Sequence, residues 1–542
     1  MTSAISATNK IPIQHRYDAE TLSIPIIWQN PVPNIVVTHP AIPCPTMKYL
    51  SPLLGLLTLT LSLSAAEPEF PLTADSKPQP GVPPGSLIKD TYTARQASVF
   101  PGTQRDYQIY IPAGLDRDKP AAFMVFQDGV LYQAPTVFDN LIAKKDIPPL
   151  IGIFIKPGVI PAANDNALPR FNRSYEYDSV TAEYSRFLLD EFLPAIEQKH
   201  RLSLSTNPDQ AAIAGNSSGG ICAYMVAWHR PDRFHRVFTG VGTYVGIHGA
   251  DQLPVLVRKI EPKPLRVFLQ SGTNDNNLYC GDWWMANQMM ERSLTWAGYE
   301  VNHAWGEGGH NQKHASQVFP DALRWLWKDW QTNLEVKANV KGESKWKGYE
   351  VVDMGAWQPL ASPKGAQGNV LQSSVTGEIS LTATANARTR LQGQTSLPQP
   401  ALTDDWASSS TTLSPDQTLL YAKKPDSEYV YSFPVGGLLS QGQKFYQLDA
   451  LQAGDTHSGG LCVDTEGRLY VATSLGIQVC DQAGRVNFII PTPTEATDVC
   501  FGGKDLSELV IACGDTLYKR PTKVHGVVSG QQAPIKPKAP KL

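Results

Sequence analysis

Gly215-Asn216-Ser217-Ser218-Gly219-Gly220 sets a serine between glycines in the pattern Gly-x-Ser-x-Gly. An apolar run, Ala211–Ala214, leads in, and an amphipathic run from Ile221 to Arg230 leads out. Strand, sharp turn and helix in that order lift a serine hydroxyl clear of a sheet, and the flanking glycines suit a turn without room for side chains. A hydroxyl is a poor nucleophile at neutral pH, so it needs a histidine in contact and a carboxylate to orient that histidine. Both occur downstream, each after a strand-like run. Leu265–Gln270 runs into Ser271-Gly272-Thr273-Asn274-Asp275, which makes Asp275 the favoured acid. Asp282, just before a helical run, is the alternative, although its position suits a helix cap. Glu300–Trp305 runs into Gly306-Glu307-Gly308-Gly309-His310, and His310 is the expected base. His314 reads as a structural histidine in the next helix. His229, His235 and His303 have no comparable context, so packing or surface roles are expected for them.

A tetrahedral intermediate also needs N–H donors for its oxyanion. Ser218, after the nucleophile, is one expected donor. Gly129 or Val130, in the loop Phe126-Gln127-Asp128-Gly129-Val130, is the other. Asp128 comes before the serine in the chain, which suits shaping that loop. Asp128, Arg173, Glu176, Trp283 and Trp284 are the candidate substrate contacts. For the Arg173–Asp178 stretch the competing reading is a buried ion-pair network that braces the fold.

These residues require elements to position them. From about residue 89 to 332 strand-like and helix-like segments alternate. Asp106–Ile111, Ala121–Gln127, Ile151–Ile155 and Leu265–Gln270 read as strands, and Ile151–Ile155 is apolar enough for burial on both faces of a parallel sheet. Val180, Tyr184, Phe187, Leu188, Phe192 and Ile196 mark one face of a helix. Trp283–Trp296 and Ala315–Trp330 read as further helices. The alternation predicts one doubly wound, mostly parallel α/β domain. Past residue 332 a polar turn followed by an apolar strand recurs. Leu413–Asp416 precedes Leu419–Ala422, Asp464–Gly467 precedes Leu469–Ala472, and Gly503–Asp505 precedes Leu509–Ala512. This predicts propeller blades over 333–525, with a Pro- and Lys-rich tail, 526–542, expected to be disordered.

The chain has 542 residues with 47 basic and 50 acidic side chains, which argues against a nucleic-acid partner. No 18-residue apolar run demands a membrane span. Met47-Lys48, the apolar run Leu53–Leu63 and Ser64-Ala65-Ala66 have the layout of a secretory signal peptide over 47–66. Residues 1–46 then read as a disordered extension from a start assigned too early, and 67–88 as a Pro-rich linker. Export to a periplasm or beyond is expected. Of seven cysteines, Cys44 falls before the leader. The other six (Cys222, Cys280, Cys462, Cys480, Cys500 and Cys513) lack metal-site spacing and mostly lie in apolar runs, as buried free thiols do.

The stretch from about Tyr92 to Trp330 resembles the enterochelin esterase-like α/β-hydrolases, a "putative esterase" family that includes feruloyl and acetylxylan esterases. The matching pieces include Phe126–Gly129, Asn172–Asp178, Gly215–Gly220, Gly272–Asp275, Asp282–Asn287, Gly306–His310 and Leu323–Leu326. The resemblance implies Ser217, Asp275 and His310 as nucleophile, acid and base, with no cofactor. About Trp346 to Arg520 resembles the gluconolactonase (senescence-marker) family of six-bladed propellers, clearest in Leu413–Asp416 and Gly460–Asp481. That family holds a divalent cation through a first-blade Glu, an Asn in a Pro-Asn-Gly turn and an Asp before Gly. Here those turns read Ser408-Ser409-Ser410 and Gly459-Gly460, and the Glu has no counterpart. A hard cation needs several oxygen ligands, so no metal is expected. A degenerate propeller that binds or packs is expected instead.

The reading that follows is an exported serine esterase for small-molecule or polysaccharide esters, with acyl or hydroxycinnamoyl groups on carbohydrate foremost. Its rivals are a siderophore esterase, a non-catalytic carbohydrate-binding protein and a metal-dependent gluconolactonase.

Overall fold

The computed structural model describes residues 69–332, 334–360, 369–383, 406, 409–452, 454–456 and 459–539.

 The expected leader at 47–66 and the extension before it lie outside the described residues.

Ten strands form the central sheet of the first domain. Those that position the site are β1 (Ser86–Thr93), β2 (Gln104–Ile111), β3 (Ala122–Gln127), β4 (Leu150–Ile155), β5 (Val159–Ile160), β6 (Arg170–Phe171), β7 (Ala211–Asn216), β8 (Arg236–Gly240) and β9 (Arg266–Asn274). A hairpin of β10 (Asn277–Leu278) and β11 (Gly281–Asp282) precedes β12 (Glu300–Gly309). The order across the sheet is β12-β9-β8-β7-β3-β4-β2-β5-β6, with β1 on β2. Neighbours from β12 to β4 run parallel, whereas β2 is antiparallel to β4. Every residue of β3, β4 and β7 is buried, as helices on both faces require. Along β3, Phe123 and Val125 enter one core with Ile153, Ile213 and Phe187, and Met124 and Phe126 enter the other with Phe138 and Phe319. This is an α/β-hydrolase fold.

The helix expected around residues 180–196 is divided. Glu183–Arg186 and Leu193–His200 are α-helical, and Phe187–Phe192 between them is a π-helical turn. Pro194 has no N–H to close an ordinary turn there. Tyr184, Phe187, Leu188, Phe192 and Ile196 are buried nonetheless.

Two expected boundaries are corrected. Of the segment read as a linker over 67–88, the described residues 69–88 pack on the hydrolase domain. Its turn Ala74–Ser76 buries Asp75, whose carboxylate accepts from Arg324 Nη2 (2.6 Å) and pairs with Lys144. The tail expected to be disordered from 526 begins with a strand, Gly526–Val527, antiparallel to Val463 and Asp464. Farther on, Gln482 Nε2 donates to the Lys538 carbonyl (2.7 Å).

The second domain consists of antiparallel sheets of propeller-like form. One sheet contains 410–413, 419–423, 429–434 and 443–447. A second contains 461–464, 469–473, 476–480, 486–490 and the tail strand. A third contains 358–359, 498–502, 508–513 and 516–521, and 369–373 pairs with 379–383 as a hairpin. The recurrent apolar runs around Leu419, Leu469 and Leu509 lie in inner strands of these three sheets, where both faces are covered.

The two domains share a seam. Lys259 Nζ bonds both oxygens of Asp449 (2.9 and 2.7 Å), and Arg520 bonds both oxygens of Glu261 (2.7 Å each). Trp346 Nε1 donates to the Lys259 carbonyl (2.6 Å), and one apolar cluster runs across from Leu253 and Leu256 to Val463 and Ile489. None of the six cysteines from Cys222 onward is in a disulfide among the described residues; five are buried and Cys280 is half-buried. Among the described residues no helix is long and apolar enough to cross a membrane.

Candidate active site

Strand β7 ends at Asn216, and helix α1 (Ser218–His229) begins two residues later. Ser217 between them has φ 59° and ψ −123°, a conformation that costs a non-glycine residue about 1–3 kcal/mol. The surroundings enforce it. Ser217 N–H donates to the Gly240 carbonyl (2.8 Å), and the Ser217 carbonyl accepts from Gly220 N–H (2.9 Å). A Cβ on Gly215 would overlap the Gly219 carbonyl, and one on Gly219 would stand 2.9 Å from Asp128 Oδ2. The glycines at both flanks are therefore demanded by close approach.

His310 reaches this serine. Its Nε2 lies 2.7 Å from Ser217 Oγ, and its Nδ1 lies 2.6 Å from Asp275 Oδ1. A carboxylate only accepts, so Nδ1–H donates to Asp275 and Nε2 is left to accept from Ser217. The Asp275 side chain is wholly buried; Ser271 Oγ donates to its Oδ2 (2.7 Å) and Asn276 N–H to its Oδ1 (2.8 Å). The pairing of β12 with β9 shifts register between Gly306 and Gly309, a bulge that re-aims the chain just before His310. A Cβ on Gly272 would overlap Gly308, so the loops carrying acid and histidine touch through glycine backbone. The arrangement can draw a proton from the serine hydroxyl and hold the resulting imidazolium against a carboxylate.

Asp282, the alternative acid, instead caps helix α2 (Trp283–Ala297), its Oδ1 accepting from Met285 N–H (3.0 Å). His314 accepts at Nδ1 from Gln270 Nε2 (3.0 Å) and stacks on Phe70 at 4.6 Å, and burial lowers its pKa. His235 pairs with Asp209 (2.8 Å), His229 Nε2 donates to the Val180 carbonyl (2.9 Å), and His303 stacks on Trp305.

The expected oxyanion donors divide. Ser218 opens its helix, so its N–H has no intrahelical acceptor. Gly129 does not fit, because its N–H already donates to the Ile155 carbonyl (3.1 Å). Val130 is the remaining candidate in that loop.

The expected substrate contacts also divide. Arg173 grips Asp128 with two bonds, Nε to Oδ1 (2.7 Å) and Nη2 to Oδ2 (2.9 Å), while Nη1 donates to Ser218 Oγ (3.0 Å). Both therefore adjoin the elbow. Glu176 is no substrate contact: with Arg105 it forms a fully buried pair (2.7 and 3.1 Å), and it accepts from Gly158 N–H. Trp283 is buried edge-on to His310, with ring centroids 5.5 Å apart, and Trp284 packs on Trp305. One residue escaped the sequence reading. Thr243 is buried, its Oγ1 lies 3.3 Å from Ser217 Oγ, and it accepts from Trp283 Nε1 (3.2 Å). The only hint was its place in a glycine-rich stretch, Gly240-Val241-Gly242-Thr243, after a strand.

In the second domain the donors for a divalent cation do not fit. Gly459 and Gly460 bring no side-chain oxygen, Ser408 lies outside the described residues, and a Cβ on Gly460 would overlap Asp498. Among the described residues no group of three or more His, Cys, Asp or Glu side chains could hold a metal ion.

Fold and site define a hydrolase-fold domain with a serine, histidine and aspartate in one hydrogen-bonded line, joined to a propeller-like domain. Residues 98–326 match the family model described as "Putative esterase", and residues 382–514 match that of the SMP-30/Gluconolactonase/LRE-like region. Iron(III) enterobactin esterase from Dickeya dadantii is 31% identical over 153 residues, 25% of this chain and 33% of that protein. Regucalcin from Oryctolagus cuniculus is 32% identical over 95 residues, 16% of this chain and 31% of that protein. The chain thus spans about a third of the length of the curated relatives it matches. Among solved structures, enterobactin esterase from Shigella flexneri covers 47% of this chain and 62% of its own at 20% identity and TM-score 0.36. A ferulic acid esterase covers 45% and 98% at 17% identity and TM-score 0.34.

Proposed function

We propose that the chain is an exported serine esterase that hydrolyses carboxylic esters, with acyl or hydroxycinnamoyl esters of carbohydrate as its substrates. The observation that carries this reading is the unbroken line Ser217–His310–Asp275, at 2.7 and 2.6 Å. Ser217 Oγ attacks the ester carbonyl carbon as its proton passes to His310 Nε2. Asp275 holds the imidazolium, and the oxyanion takes hydrogen bonds from Ser218 N–H and Val130 N–H. His310 then protonates the departing alkoxide, leaving an acyl group on Ser217. Water, activated by the same histidine, releases the acid and restores the serine. The leader expected at 47–66 supports export.

A second reading, a siderophore ester as substrate, is favoured by the similarity to iron(III) enterobactin esterases. The full chain assayed on acetyl, feruloyl, glucuronoyl and catecholate esters separates the two by kcat/KM. Ser217→Ala should abolish turnover of whichever ester is preferred. Hydrolysis that survives this change would overturn the esterase mechanism.

A further inference from the structure

A cleft of about 290 Å³ opens along the seam between the two domains, and no residue of the Ser217–His310–Asp275 line borders it. From the hydrolase side it is lined by Trp228, His229 and Lys263, and from the propeller-like side by Gln452, Asp455 and Leu475, among others. We propose that this cleft binds a hydroxylated carboxylate the size of one sugar-acid unit.

The charge at the cleft is the first argument. Two other cations of the seam are matched, Lys259 by Asp449 and Arg520 by Glu261. Lys263 is not: its Nζ donates to the Trp228 carbonyl and lies 3.9 Å from the Trp228 ring centroid, and among the described residues no carboxylate comes within ion-pair distance of it. A partly buried ammonium without a counter-ion is costly, and a ligand carboxylate at the cleft would supply the missing charge. Burial pushes the Lys263 pKa down to about 7, and a carboxylate beside it would hold its proton in place.

The second argument is the excess of acceptors. His229 donates its Nε2 proton to the Val180 carbonyl, so its Nδ1 bears a lone pair. Burial, and then the Lys263 charge, push its pKa down to about 4, which keeps the ring neutral. Asp455 Oδ2 accepts from the Leu451 and Gln452 N–H groups (2.7 and 2.9 Å), and among the described residues no donor meets its Oδ1, which stays an acceptor. Such groups call for ligand hydroxyls as donors. A neutral sugar would leave the ammonium unmatched, and a plain short acid would leave the acceptors unpaired. A hydroxylated acid satisfies both, and Leu475 offers an apolar wall to a ring face. The volume lies at the lower end for small-molecule sites, which suits a single unit.

Calorimetric titration of the full chain with glucuronate, glucose and acetate tests this. Saturable one-to-one binding of glucuronate is expected, at least about tenfold tighter than glucose or acetate. Ser217→Ala should retain it, which separates this site from the ester-hydrolysing one. Lys263→Met should weaken it by about tenfold or more while leaving ester hydrolysis unchanged. Gln452→Trp, at an exposed position on the rim, should obstruct the cleft without disturbing a core, and serves if Lys263→Met does not fold. Absence of saturable glucuronate binding, equal affinity for acetate, or affinity unmoved by a folded Lys263→Met or by Gln452→Trp would each overturn the proposal.

Discussion

Gly215 in the hydrolase domain and Gly460 in the propeller-like domain are crowded alike: a Cβ on the first would overlap the Gly219 carbonyl, and on the second Asp498. What the crowding achieves differs. At the elbow the backbone closes tightly so that one hydroxyl can stand out, with His310 in contact. Beside Gly460 a carboxylate is turned inward; Asp498 accepts from Val499 N–H and Leu371 N–H (2.9 Å each), fastening the hairpin of residues 369–383 to its neighbouring sheet. One close approach exposes a reactive group, and the other consumes a potential ligand in holding strands together.

The contrast can be broken at several points. The largest effect is expected from Asp275→Asn, which leaves His310 without its acceptor and should lower kcat about 10⁴-fold in a spectrophotometric ester assay. Next comes Glu176→Gln. Breaking its buried pair with Arg105 should cost about 3–5 kcal/mol in urea unfolding, while the folded fraction keeps its kcat; a selective rise in KM would instead restore Glu176 as a substrate contact. Gly215→Ala and Gly460→Ala compare the two crowded glycines directly. The first should cut kcat by about 100-fold through a displaced serine, whereas the second should lower the melting temperature and spare kcat. Asp282→Asn should change kcat little and stability by at most about 1 kcal/mol, as for any helix cap.

Stability should also depend on pH. His229 in the folded chain has its pKa pushed from 6.5 to about 4, chiefly by burial, so it stays neutral across that interval while the unfolded chain takes up a proton. The unfolded state therefore binds more protons there, and stability falls as pH drops from 6.5 to 4. Melting temperatures measured at pH 7, 5.5 and 4.5 should decline, and His229→Gln, which keeps a donor for the Val180 carbonyl, should flatten the decline.

Much of the hydrolase domain was legible because its constraints are local. Wholly apolar runs announce strands covered on both faces, and a serine between glycines announces a turn. Asp275 could be preferred to Asp282 because one follows a strand and the other precedes a helix. What escaped depended on partners distant in the chain. Asp75 and Arg324 meet across 249 residues, and nothing local marks that proline-rich segment as packed. Glu176 looks like a cleft residue until Arg105, 71 residues earlier, is placed against it. The Gly129 N–H is lost to an acceptor on the neighbouring strand β4, a matter of register that no motif encodes.

The strand Gly526–Val527 has a consequence for how the molecule is made. It covers the outer side of residues 461–464, which would otherwise be a free sheet edge of the kind that invites intermolecular pairing. Its residues emerge from the ribosome some sixty positions after the strand they cover. The hydrolase domain has by then been translated in full and can fold as a unit. The propeller-like domain must wait with this flank open until residues 526 and 527 have been added, so this flank is where a chaperone would have most to protect and where loss of the Gly526–Val527 strand would promote aggregation.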